Sequence, residues 1–147
     1  MPASQLNRSI ILLPAATIGA AAAGVLSPVL SLAPGILVAT IQATFLYGAG
    51  GTNVKAYIQT SLDRELSWFD IACVTFTTAA ATKISSVKAL TAVAASYAPT
   101  DATLADDTIK DGLLGHAFRV KYTSTGTYTG ATSLAVYISL QGMLDRI

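Results

Sequence analysis

VKAYIQTSLDRELSWFDIACVTF, residues 54–76, reads as two alternating β-strands joined by a turn. Val54, Ala56 and Ile58 share one face, while Lys55, Tyr57 and Gln59 share the other. A period of two marks a half-buried strand. After the turn, Phe69, Ile71 and Cys73 alternate with Trp68, Asp70 and Ala72, and Val74, Thr75 and Phe76 continue with types suited to a pleated surface. The spacing predicts a β-hairpin. Within the turn, Ser61 and Asp63 can accept backbone N–H bonds and Trp68 can lay a large ring over the loop, so Ser61, Asp63 and Trp68 are read as a structural turn.

Working outward, Leu37, Ala39, Ile41, Ala43, Phe45 and Tyr47 alternate with Val38, Thr40, Gln42 and Thr44, which predicts a long strand from Gly35. Gly48 to Asn53 then turns the chain into the hairpin. A further strand is expected from Thr82 to Leu90, and Leu90 to Tyr97 reads equally as strand or short helix. At the far end, Phe118, Val120 and Tyr122 alternate with Arg119, Lys121 and Thr123. Leu134, Val136, Ile138 and Leu140 alternate with Ala135, Tyr137 and Ser139. With Gly126 to Gly130 between them, these two runs predict a second hairpin. Arg119 and Lys121 read as solvated charges that blunt a sheet edge, or as partners for another protein's carboxylates. Short strands at this spacing without a long helix specify an all-β chain, an antiparallel β-sandwich of jelly-roll or immunoglobulin-like type.

No Asp, Glu, Lys, Arg or His occurs from Ser9 to Val54. Pro14, Pro28 and Pro34 interrupt this run, whereas a membrane-crossing helix needs about 20 predominantly apolar residues in succession. Arg8 before an apolar run, with Ala21-Ala22-Ala23 following, has the outline of a secretory signal, but the segment is expected to be retained. The reading preferred is an extended apolar N-terminal arm over residues 1–34, or a set of short edge segments, followed by a sandwich domain over 35–147. Such an arm would pack on a neighbour or across its own domain. Its candidate contact residues are Ile10, Ile11, Leu12, Leu13, Ile18, Val25, Leu26, Val29, Leu30 and Leu32. On this reading, removal of residues 2–33 should abolish the contact and leave a folded sandwich.

Composition removes several function classes. Charged residues are only 12% of the chain, about half the usual share, and the net charge is +1. No basic stripe with interleaved aromatics is present, so no nucleic-acid partner is expected. His116 is the only histidine, Cys73 the only cysteine and Glu65 the only glutamate. Neither a zinc site nor a Ser-His-Asp arrangement is anticipated, and Cys73 reads as a buried small hydrophobe. Asp101, Asp106, Asp107 and Asp111 raise a calcium hypothesis. Their spacing fits no EF-hand and Lys110 intrudes, so capping or turn roles are preferred. We therefore expect no enzyme, no cofactor and no metal.

Two resemblances rest on particular residues. The turn is similar to the Asp-box, S-x-D-x-G-x-T-W, a folding device of β-proteins, through Ser61, Asp63 and Trp68, with Ser67 in the Thr position and Glu65 in place of glycine. Separately, five segments resemble small virion structural proteins of tailed bacteriophages and prophages, of the decoration or cement kind. They are GGTNVKAYIQTSLD (50–63), SWFDIA (67–72), TAAATKI (78–84), APTDATLADDTIKDG (98–112) and FRVKYTSTGTY (118–128). The turn of those proteins reads like S-L-D-G-G-x-T-W, from which Arg64 and Glu65 depart. This resemblance implies a homo-oligomeric virion component that binds the major capsid protein and other virion proteins, with neither membrane nor nucleic acid as partner. A head-to-tail connector or tail-tube subunit is the alternative. A carbohydrate-binding module is a further one, in which Tyr57, Tyr137 and Trp68 would have to be exposed on one face.

Overall fold

A computed structural model describes residues 4–32 and 35–144. Pro2 and Pro34, read above as punctuation of the arm, lie outside the described residues. The strands are β1 (Ser4–Thr17), β2 (Ala22–Leu26), β3 (Leu30–Ser31), β4 (Ile36–Leu46), β5 (Ala49–Gly50) and β6 (Asn53–Ser61), then β7 (Phe69–Phe76), β8 (Ala81–Lys88), β9 (Ala117–Thr125), β10 (Tyr128–Thr129) and β11 (Ser133–Leu144). One sheet has the order β1-β11-β4-β8 and the other β2-β9-β6-β7, with β3 also paired to β9, and every pairing between strands is antiparallel.

That order is a jelly roll. Counting only the eight long strands, the first lies beside the last, the second beside the seventh, the third beside the sixth and the fourth beside the fifth, which is the signature of two wound Greek keys. The core is the seam between the sheets. Ile41, Phe45, Leu134, Ile138 and Leu140 come from one side, and Val54, Ile58, Phe118 and Val120 from the other, all fully buried. Each such side chain contributes roughly 1.5–3 kcal/mol by leaving water.

The opening hairpin is present as expected, with Val54 opposite Phe76 and Thr60 opposite Phe69. A register shift between Ile58 and Gln59 makes Ile71 an extra residue on β7. Because a bulge reverses the alternation, Cys73 pairs with Tyr57 on the outer face, not on the face of Phe69. Cys73 is nonetheless buried.

Three expectations need correction. The second predicted hairpin does not form: β9 pairs with β2, β3 and β6, while β11 pairs with β1 and β4. Likewise β4 and β6 lie in different sheets. Both glycine-rich connections are arches between sheets, and their midpoints β5 and β10 pair with each other to close that end of the sandwich. Gly51 has a positive φ of 71°, and a Cβ there would collide with the Tyr128 ring, so this crossing needs glycine. Beside it Phe45 stacks with Tyr47 and Phe76, and Tyr128 meets Phe45 and Tyr47 edge to face.

The second correction concerns the N-terminal segment: in place of the preferred extended arm, the alternative of short edge segments holds, and they are built into both sheets. β1 is an edge strand beside β11, and β2 and β3 form an edge beside β9. Pro14 sits where the β1 register shifts, and Pro28 separates β2 from β3, so both occupy the interruptions that a residue without an N–H tolerates. At the second break, Ser27 keeps the ladder: its N–H donates to Val120 O at 2.8 Å and its hydroxyl accepts from Val120 N at 2.8 Å. Removing residues 2–33 would therefore strip one edge from each sheet and expose the core, so a folded remainder is no longer expected.

Third, Leu90 to Tyr97 is neither strand nor helix, and the connection from β8 to β9 is irregular. It runs along the free edge of β7. Asp70 N donates to Thr100 O, Cys73 N to Thr108 O and Lys110 N to Ile71 O, while Gly112 N donates across to Lys88 O of β8. The connection thus covers the β7 edge and ties it to the other sheet.

Candidate interface surfaces

The anticipated arm residues separate into two sets. Leu12, Leu13 and Ile18 are core, each at most 5% exposed, and Ile10, Leu30 and Leu32 pack against it. Ile11, Val25, Leu26 and Val29 remain exposed. Leu26 lies beside Lys121 on the outer side of the β2 edge, with Val25 next to it and Val29 in the gap after Pro28. By register Leu26 faces outward with Lys121 while Val25 faces the core side with Tyr122, so the three exposed residues lie along the rim of that sheet edge and not on one face. Ile11 belongs to the opposite sheet.

The structural turn is self-bonded as the sequence indicates. Asp63 accepts the Ser67 hydroxyl at 2.5 Å, the Ser67 N–H at 2.8 Å and the Ser61 hydroxyl at 3.0 Å, while Ser61 Oγ accepts the Glu65 N–H at 2.8 Å. Led by the Ser67 hydroxyl and then the Ser67 N–H, these donors hold the Asp63 carboxyl at about 2. Arg64 and Glu65 both have positive φ, at 61° and 69°, which explains why a Gly-Gly pair suits this turn. Leu66 at its tip is 86% exposed. Trp68 is half-buried under the guanidinium of Arg119, 4.5 Å from the ring centre.

Arg119 begins a polar network that sequence reasoning missed. β9 is an interior strand, so Arg119 and Lys121 do not blunt an edge. Arg119 Nε donates to Gln59 Oε1 at 2.9 Å, and Gln59 Nε2 donates to Asp70 Oδ1 at 2.9 Å and Asp101 Oδ1 at 2.7 Å. Lys121 pairs with Asp101 at 3.1 Å. Burial pushes the Asp101 carboxyl up, but the hydrogen bonds from Gln59 and Lys121 and the charge of Arg119 outweigh it and leave it below the usual range. Fully buried Asp70 also accepts Thr100 Oγ1 and the N–H groups of Ala102, Thr103 and Leu104, so it organises the start of the long connection. The only sequence hint was a lone aspartate in a strand otherwise rich in apolar residues.

The remaining loop aspartates are spread along the sandwich. Asp106 pairs with Lys55 at 3.0 Å, Asp107 with Lys83 at 3.1 Å and with the Thr75 N–H, and Asp111 accepts the Lys88 N–H. The two ion pairs are partly solvated and worth about 0–1 kcal/mol each. Among the described residues, no three His, Cys, Asp or Glu side chains come together in a way that could hold a metal ion. A cavity of about 360 Å³ between β7, β8 and the connection is lined by Cys73, Lys83, Ser85 and Asp107 among others. Burial pushes the Cys73 thiol up, which suppresses its thiolate.

The aromatic side chains do not share a platform. Tyr57 is buried beneath the connection, Trp68 follows the turn after β6, and Tyr137 lies on the other sheet. No family model matches the chain, no curated protein matches it, and no solved structure matches it.

Proposed function

We propose that this chain is a structural protein of a virus particle, a decoration or cement protein that bridges and stabilises major capsid subunits. The observation that carries the reading is the group of exposed apolar residues Val25, Leu26 and Val29 along the rim of the β2 edge, in a segment whose Leu12, Leu13 and Ile18 are core. The segment resemblances to phage virion proteins support it, and fold-level analogy with other jelly rolls adds an association only. The mechanism is additive burial: each copy contributes a modest apolar contact, and many copies on a lattice convert weak contacts into a stable coat.

The test is binding of the purified full chain to particles that lack it, followed by mass-spectrometric counting of copies per particle. Lattice-scale occupancy by the native protein, abolished in Leu26→Asp and Val29→Asp variants that keep native circular dichroism, is the expected result. Occupancy limited to one ring per particle, with closed rings in negative-stain images of the free protein, would favour the connector or tail-tube alternative. Absence of particle binding by the native protein would overturn the proposal.

A further inference from the structure

The outer face of the β1-β11-β4-β8 sheet is almost free of charge. Register places Ile11 beside Tyr137, Tyr137 beside Gln42 and Gln42 beside Ile84, so one row crosses all four strands. Its three large apolar side chains are well exposed, Ile11 at 57%, Tyr137 at 37% and Ile84 at 66%. The next row on one side is Ser9, Ser139, Thr40 and Ser86, and on the other side Ala135, Thr44 and Thr82. Thr40 and Ser86 hydroxyls bond each other at 3.2 Å, and Thr44 and Thr82 at 3.4 Å. Hydroxyls that bond sideways have part of their capacity satisfied before any partner arrives. Among the described residues, Lys88 at one corner is the only charged side chain that register places on this face.

The opposite sheet differs. Its outer side carries Lys55, Gln59, Asp70, Arg119 and Lys121, and it is covered by the long connection. The uncovered face is therefore the neutral one.

We propose that this neutral face binds a second copy of the chain, face to face, in a two-fold dimer. Charge decides the occupant. A partner bearing charges across its centre would lose their hydration against a row that offers no counter-charge, whereas the same face of another copy brings only Lys88, at its corner. A two-fold axis through the centre lays the apolar row on itself and leaves the hydroxyl rows as a polar rim, the usual anatomy of an interface. Two sheets can pack in this way about 10 Å apart with strands about 30° from alignment. Four strands spaced about 4.8 Å apart, over about eight residues at about 3.3 Å each, give a footprint of roughly 500 Å² per copy. The total of about 1,000 Å² sits at the lower bound for a specific contact, so the dimer should dissociate on dilution. It does not depend on the particle reading, and loss of particle binding would leave it standing.

Sedimentation velocity of the full chain over a concentration series tests this. The native protein should move from monomer to dimer as concentration rises. Tyr137→Lys and Ile84→Lys should each remain monomeric throughout with unchanged circular dichroism, while Thr125→Lys, on the other sheet, should dimerise like the native chain. A native protein that stays monomeric, or a dimer that persists in both face variants, would overturn the proposal. So would a native monomer whose binding to purified particles is abolished by Tyr137→Lys, because the occupant of the face would then be the particle.

Discussion

Gln59 and Asp70 face each other across the β6–β7 pair, and the amide of the first donates to the carboxylate of the second at 2.9 Å inside a fully buried site. The same carboxylate takes the Thr100 hydroxyl and three backbone N–H groups of the connection. Asp70→Ala would orphan every one of these donors, and breaking such a buried network costs about 3–5 kcal/mol. Asp70→Asn keeps the shape but turns an NH2 toward donors, so it should also destabilise. Urea unfolding of both variants, with hydrogen exchange at Ala102 to Leu104, checks this. Native exchange rates there in Asp70→Ala would contradict the role assigned to Asp70.

The N-terminal segment is expected to be a stability element. Leu12 and Leu13 sit at the register shift in β1 and are 3% and 5% exposed. Truncating either to Ala should cost about 2–5 kcal/mol. Ile11→Ala, at an exposed position of the same strand, should change stability by less than about 0.5 kcal/mol. Thermal or denaturant unfolding separates the two outcomes. Equal small effects at all three positions would return the segment to a detachable arm.

Strands were readable wherever one face is core, because burial imposes the alternation locally; β4, β6, β9 and β11 all show it. Pairing was not readable, because Gly48 to Asn53 and Gly126 to Gly130 have the composition of hairpin turns yet lead the chain from one sheet to the other. A turn and an arch differ in what lies at their far ends. The face of Cys73 was misread for a smaller reason, the single extra residue Ile71. In β1 the core residues Leu12 and Leu13 are adjacent instead of alternating, so a bulged edge strand looked like an unpatterned apolar arm. Asp101, Asp106, Asp107 and Asp111 looked like a cluster because they are close in sequence, but they meet separate partners, Lys121 on β9, Lys55 on β6 and Lys83 and Lys88 at different points of β8.

The Asp63 turn should tolerate acid well. Its folded carboxyl titrates near 2, below the ordinary value of 3.8, so its contribution is fully present above the unfolded value and is lost only as pH falls through about 2. Carboxyl chemical shifts followed by NMR should give a midpoint near 2 for Asp63. In a Ser67→Ala variant, which removes the strongest donor, the midpoint should rise toward the ordinary range. An unchanged midpoint in that variant would assign the shift to another cause.

Glu65 carries a strained backbone for no hydrogen bond of its own side chain among the described residues: its φ is 69°, and the bond that orders it runs from its N–H to Ser61 Oγ. Any residue with an N–H can make that bond. A left-handed conformation costs a residue with a Cβ about 1–2 kcal/mol, while glycine loses about 0.5–1 kcal/mol more chain entropy on folding. Glu65→Gly should therefore stabilise by about 0.5–1 kcal/mol. Glu65→Val should destabilise, because branching at Cβ makes the same φ harder to hold. Paired denaturation curves decide it: if glycine and valine shift the midpoint in the same direction, backbone strain at Glu65 is not what governs the turn.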